Sequence, residues 1–144
     1  MTNTNKPGVL FWIIGIVALL WNAMGVLNYL AQAYDMEMAT EKLSAEQIAF
    51  MDALPAWNTA LFAIAVFAGL AAALAFLMRK KLAVTLFIVS FVAAAISQVY
   101  WLFGTDAPEV FSDHQPYLMP AIIVILGLVF IWYSKKQKDA GVLN

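Results

Sequence analysis

The chain is 144 residues long, 64% hydrophobic and 12% charged, with a formal net charge of -1 and no cysteine. A soluble domain carries about a quarter of its residues as charged side chains, so the composition excludes an ordinary water-soluble protein and marks a single membrane domain. There is room for about four spans of about 20 residues with short loops, and none for a separate catalytic domain.

The first apolar run extends from about Val9 to Ala33, and three more cover Ala56 to Met78, Leu82 to Phe103 and Tyr117 to Ser134. At 1.5 Å per residue the shortest reaches roughly 27 Å and the longest roughly 37 Å, so each covers a hydrocarbon core of about 30 Å, the first with tilt. All four are expected to be helical, because lipid cannot satisfy an open backbone and four spans are too few for a closed barrel. The expected fold is an all-α integral membrane four-helix bundle. Ala31-Gln32-Ala33 imitates a signal-peptidase site, but the run before it exceeds the roughly 7 to 15 residues of a signal-peptide core, and a membrane anchor is the simpler reading. After span 1, Ser44-Ala45-Glu46-Gln47 has the form of a capping box and precedes Ile48, Phe50 and Met51. This predicts a short amphipathic helix in the first outer loop, with Ile48 and Met51 on one face. Pro55 and Pro120 fit the first turns of spans 2 and 4, where a missing N–H costs nothing.

The charges sort by side. Lys6, Arg79, Lys80, Lys81, Lys135, Lys136 and Lys138 precede span 1, join spans 2 and 3 or follow span 4, leaving Lys42 as the exception. Asp35, Glu37, Glu41, Glu46 and Asp52 lie between spans 1 and 2, and Asp106, Glu109 and Asp113 between spans 3 and 4. Basic residues mark the cytoplasmic side, so both termini are expected inside the cell. The eight basic residues have no interleaved aromatic cluster and leave no footprint for nucleic acid.

Within the four spans there is no Asp, Glu, Lys, Arg or His, which removes proton coupling through a span carboxylate and a retinal Schiff base from the expected mechanisms. The single histidine, His114, lies in an outer loop, which excludes a bis-histidine haem, and the absence of cysteine excludes thiolate metal sites and iron–sulfur clusters. No metal or cofactor is expected. A Ser or Thr nucleophile has no patterned base, so no enzyme is expected either. Asp106, Glu109, Asp113 and His114 are suitable ligand types for a divalent cation, but they match no calcium or zinc spacing, and orientation and solubility already account for the acids.

The uncharged polar residues gather toward the outer half: Asn22, Asn28 and Gln32 in span 1, Asn58 and Thr59 in span 2, and Ser97, Gln98 and Tyr100 in span 3. At helical spacing Asn22, Gly25, Tyr29 and Gln32 form one stripe and Ser90, Ala94, Ser97, Gln98 and Trp101 another, and the two stripes are expected to face each other. One reading is a shallow outward pocket for a neutral polar ligand such as a sugar. It would be lined by Asn22, Asn58 and Gln98 with Trp21, Trp57, Trp101 and Tyr117. The structural reading is that the amides bond between helices, each worth about 1 kcal/mol, that most aromatics form an interfacial belt, and that Trp21, near mid-span, fills core volume. Ala65, Gly69 and Ala73, four apart on span 2, and Ala94 on span 3 are the helix-packing positions, serving either the hairpin or a contact between two copies of the chain.

Trp21-Asn22-Ala23-Met24-Gly25 in span 1, Pro55-Ala56-Trp57 opening span 2, Ala63 to Phe67 within it, Arg79-Lys80-Lys81-Leu82-Ala83 in the turn and Pro120 in span 4 are the residues that carry a family likeness. The chain resembles a family of small bacterial four-helix inner-membrane proteins whose members often carry the label "sugar transporter". The resemblance covers nearly the whole length, with WN-x-x-G and PAW as its distinctive elements. It implies a bacterial cytoplasmic (inner) membrane and four helices, and no catalytic residue. In size and topology there is a looser likeness to the DoxX-like four-helix proteins. Two functions are expected from these readings. One is a carrier or binder of a neutral polar solute such as a sugar, as a homo-oligomer because four short helices enclose little volume. The other is a non-transporting accessory subunit that binds another membrane protein within the lipid bilayer.

Overall fold

The computed structural model describes residues 6–34, 37, 41 and 43–144. In chain order the elements are α1 (Val9–Ala33), α2 (Ala45–Asp52), α3 (Ala56–Leu77), α4 (Leu82–Phe103), α5 (Ala107–Val110), a 3-10 turn (Ser112–His114) and α6 (Leu118–Asp139), with no strand among the described residues. Helices α1, α3, α4 and α6 each contain an 18-residue window of mean hydropathy between 2.0 and 2.6, long and apolar enough to cross a membrane. Their ends follow the apolar runs except at α6, which continues past Ser134 to Asp139. Apolarity finds where lipid ends, not where the helix ends. Lys135, Lys136 and Lys138 are good helix formers, and the last two lie in the final turn, where cations suit the negative end of the helix dipole. Asp35, one of the charges that sort by side, and Lys42, the exception, lie outside the described residues.

Each long helix runs antiparallel to the next. Along α1 and α3, Gly15 meets Phe76 and Leu77, Asn22 meets Gly69, Gly25 meets Val66, and Tyr29 meets Phe62. Ser90 of α4 reaches Ala65 of α3, and Ser97 reaches Asn58. Phe91 of α4 lies against Gly127 of α6. Helix α3 packs against both α1 and α4, and α4 carries α6 on its other side, while α1 and α6 scarcely touch. This series brings the start of α1, the α3–α4 turn and the end of α6 to one end of the bundle, which holds the basic residues. Helices α2 and α5 lie at the opposite, acidic end.

The tightest packing is near the basic end. Phe11 stacks on Phe76 with ring centroids 4.3 Å apart and planes at 19°, and Phe76 also meets Phe87 at 6.3 Å and Tyr133 at 6.0 Å. Between these rings sit Ala18, Ala72, Ala73 and Ala83, all at 0% exposure. Lipid tails are as apolar as these side chains, so helix association in a bilayer depends on close van der Waals fit, and alternating large rings with alanine supplies it. The outward faces carry Ile13, Leu20, Met24, Ile125, Leu128 and Trp132, all at least half exposed. An apolar surface of this extent belongs in lipid.

Two helix stops close the basic end. After α3, Arg79 takes a left-handed φ of 60°, with Arg79 N–H donating to the Phe76 carbonyl and Lys80 N–H to the Ala75 carbonyl. After α6, Gly141 takes φ 79°, and Val142 N–H reaches back to the Gln137 carbonyl at 3.0 Å. Both are Schellman motifs, and only the second has the glycine that normally fills the left-handed position. Arginine there strains the backbone by about 1 kcal/mol; its Nε donates to the Val142 carbonyl at 3.0 Å, which offsets the strain. The second stop turns the tail back into the bundle, where Val142 and Leu143 are 3% and 1% exposed. Asn144 N–H donates to the Arg79 carbonyl at 2.7 Å, and Lys81 N–H donates to the Asn144 carbonyl at 2.9 Å.

Candidate functional site

Asn22 and Gly69 form the polar centre of the bundle. The Asn22 side chain, 8% exposed, donates from Nδ2 to the Ala18 carbonyl one turn back at 2.8 Å. Its carbonyl oxygen rests over the bare Cα of Gly69, where an added Cβ would fall 1.9 Å from Oδ1 and 3.0 Å from the Ser90 hydroxyl. Ser90 itself donates to the Ala65 carbonyl of α3 at 2.6 Å. Ala65, Gly69 and Ala73 are all buried, and their small side chains let α1 and α4 approach α3 from two sides; Ala94 on α4 is half-buried. The two polar stripes reach the same point on α3, with Asn22 Oδ1 and Ser90 Oγ both lying against the bare Cα of Gly69. Each converges on α3, because α3 has the small residues. On α1, Gly25 meets Val66 and Tyr29 packs edge-on to Phe62 and Phe67, whereas Asn28 and Gln32 are exposed.

Toward the acidic end, Ser97 Oγ donates to Asn58 Oδ1 at 3.0 Å, and both residues are buried, at 4% and 6% exposure. Trp57, next along α3, is half exposed and sets its ring edge against Tyr100, centroids 4.5 Å apart. Trp101 packs on Phe111, and Tyr117 is exposed. Trp21 is partly buried against the aromatic core. Gln98 is half-buried and has no side-chain hydrogen bond among the described residues. The five residues expected to line one pocket are thus distributed. Trp57 and Asn58 meet Tyr100 and Ser97, and Trp21 and Asn22 lie deeper. Nearer the basic end the four long helices leave a narrow crevice lined by Ile14, Ala18, Phe76, Phe87 and Phe130. It is too narrow for water and has no polar side chain with which to hold a sugar.

The acidic end contains an arrangement that sequence reasoning read only in part. Ser44 Oγ accepts from Gln47 N–H at 3.2 Å and Ser44 N–H donates to Gln47 Oε1 at 3.0 Å, which completes the expected capping box on α2. Gln47 is only 3% exposed, because its other amide atom, Nε2, donates to the Val110 carbonyl at 3.1 Å and to Asp113 Oδ1 at 2.9 Å. One side chain thereby caps α2 and ties the first acidic loop to the second. Phe50 and Phe111 add an edge contact between the same two loops at 5.8 Å. The signal available in sequence was that a capping-box glutamine uses its oxygen and leaves an NH2 group over. Among the described residues no three of His, Cys, Asp and Glu gather in a way that could hold a metal; the side chain of His114 lies outside them. No protein-family model matches the chain, nor does any curated protein or solved structure.

Proposed function

We propose that the chain is a non-transporting accessory subunit of another membrane protein, in a bacterial cytoplasmic membrane with both termini and the basic end in the cytoplasm. The observation that carries this reading is the engagement of the intramembrane polar groups within the bundle: Asn22 with Ala18, Ser90 with Ala65 and Ser97 with Asn58. The two bonds of Ser90 and Ser97 cross between helices and fix their positions, each by about 1 kcal/mol, Asn22 is satisfied within its own helix, and none of these groups is offered to a solute. The orientation rests on the basic residues, which mark the cytoplasmic side. The acidic end, tied together by Gln47, is then the surface presented outside, with α2 as its amphipathic cap. No catalysis and no cofactor belong to this reading. The small residues of α3 act inside the bundle, so a second copy of the chain would meet it on another face.

A second reading, a carrier of a neutral polar solute such as a sugar, has one specific observation in its favour: Gln98 presents a half-buried amide with no side-chain partner among the described residues. The resemblance to proteins labelled sugar transporters points the same way. The test follows the thermal midpoint and the fluorescence of the five tryptophans of the purified protein during titration with mono- and disaccharides and polyols. Binding to the folded state alone raises the midpoint by mass action. The accessory reading expects a flat response across the panel, together with migration of the solubilised protein in a native gel as part of an assembly of fixed stoichiometry. A saturable rise that disappears in Gln98→Leu would overturn it in favour of the carrier.

A further inference from the structure

The basic end carries more positive charge than helix termination requires. Lys80 and Lys81 in the α3–α4 turn and Lys135, Lys136 and Lys138 at the end of α6 are all exposed, and Asp139 is the one acidic side chain beside them in α6. In sequence these are two separate clusters. The tail joins them: Asn144 bonds to the backbone on both sides of Lys80, through the Arg79 carbonyl and the Lys81 N–H. Val142 N–H is held by the Gln137 carbonyl, next to Lys138. With Leu143 seated in the core at 1% exposure, the turn and the helix end become one surface.

We propose that this surface docks the headgroups of anionic phospholipids, and that the tail assembles it. The chemistry is phosphate recognition by several ammonium groups, and the location selects a lipid over a soluble anion. Directly beneath the lysines, Met78, Leu82 and Trp132 are 66%, 59% and 60% exposed, and acyl chains are what cover such side chains at the end of an apolar helix. Lys136 places its Nζ 5.1 Å from the centroid of the exposed Trp132 ring, the pairing of cation and amphipathic aromatic found where hydrocarbon meets headgroups. Each lysine near an anionic surface strengthens association by about five-fold, so two of them account for about 25-fold. The surface does not depend on which side of the membrane it faces, nor on the proposed accessory role.

The test uses the full chain in neutral detergent, with the thermal midpoint followed as phosphatidylglycerol or phosphatidylcholine is added, at low and at high salt. Phosphatidylglycerol should stabilise at concentrations about 600-fold lower than phosphatidylcholine, about 25-fold for each of two lysine pairs, and the preference should fade at high salt, where exposed charges are screened. The paired substitutions Lys80→Gln with Lys81→Gln, and Lys135→Gln with Lys138→Gln, lie on exposed positions and should each reduce the preference by about 25-fold. Leu143→Ala retains every charge, and loosening the tail should still weaken the preference. Equal stabilisation by the two lipids, or a preference that survives both lysine pairs, would overturn the proposal. Inorganic phosphate alone reproducing the shift would also overturn it, by showing a soluble-anion site. A full preference in Leu143→Ala would remove the tail from it.

Discussion

Gly69 is the position at which a single methyl group tests how the bundle is built. In Gly69→Ala the new Cβ would lie 1.9 Å from Asn22 Oδ1, 2.7 Å from Asn22 Cγ and 3.0 Å from Ser90 Oγ. Contacts this short require the amide to move by more than about 1 Å, since non-bonded carbon atoms rest about 3.5 Å or more apart. Moving it breaks the Asn22–Ala18 bond, a loss of about 1 kcal/mol, and overpacking adds about 1–3 kcal/mol, for a total of about 2–4 kcal/mol. Asn22→Ala alone removes the amide together with its bond and should destabilise by about 1 kcal/mol. In the double variant the alanine methyl enters the space the amide vacates, so its stability should match that of Asn22→Ala alone. The coupling between the two sites then equals the Gly69→Ala loss itself, about 2–4 kcal/mol, well above the roughly 0.3–0.5 kcal/mol within which independent sites add. Equilibrium unfolding in mixed detergent micelles measures all four corners of the cycle. Additive losses would refute the contact between α1 and α3 at this level.

Leu143→Ala should destabilise by about 2–4 kcal/mol, the range for truncating a buried leucine, because this side chain is 1% exposed; a loss below about 0.5 kcal/mol in the same assay would mean that the tail is not seated. Gln47→Leu removes the bonds to Val110 and Asp113 and should destabilise the acidic end by about 1–3 kcal/mol, as expected when buried partners lose their hydrogen bonds. The readout is faster cleavage at Glu109 by a glutamate-specific protease, and an unchanged cleavage rate would contradict the role of Gln47 as the tie between loops. Ser97→Ala should lower stability by about 1 kcal/mol through loss of its bond to Asn58, measured by unfolding in micelles; no change would mean that Asn58 holds its place without it.

The four long apolar helices were legible because lipid permits so few solutions: a run of about 20 apolar residues must be a helix, and α1 and α4 begin and end where those runs do. The capping box on α2 was legible because its residues are adjacent in sequence. The order of helices around the bundle was not. Periodicity shows that Asn22 and Ser90 each lie on a polar stripe, but when every face is largely apolar it does not say which neighbour the stripe meets, and both reach Gly69 of α3. The seating of Val142 and Leu143 was hidden for a simpler reason. Two apolar residues after a lysine-rich helix end have no period to read, and their burial depends on Arg79 adopting a left-handed turn usually given to glycine.

The proposed topology sets the basic and acidic ends of the antiparallel four-helix bundle on opposite sides of a membrane, with the basic end in the cytoplasm. The native chain has no cysteine, so the single substitutions Lys80→Cys, Glu109→Cys and Lys138→Cys can be labelled one at a time with a membrane-impermeant maleimide. In cells whose cytoplasmic membrane is intact, Glu109→Cys should label and the two lysine positions should not, and all three should label once that membrane is opened. Labelling of Lys80→Cys and Glu109→Cys from the same side would contradict the bundle itself, and labelling of Lys80→Cys and Lys138→Cys alone would invert its orientation.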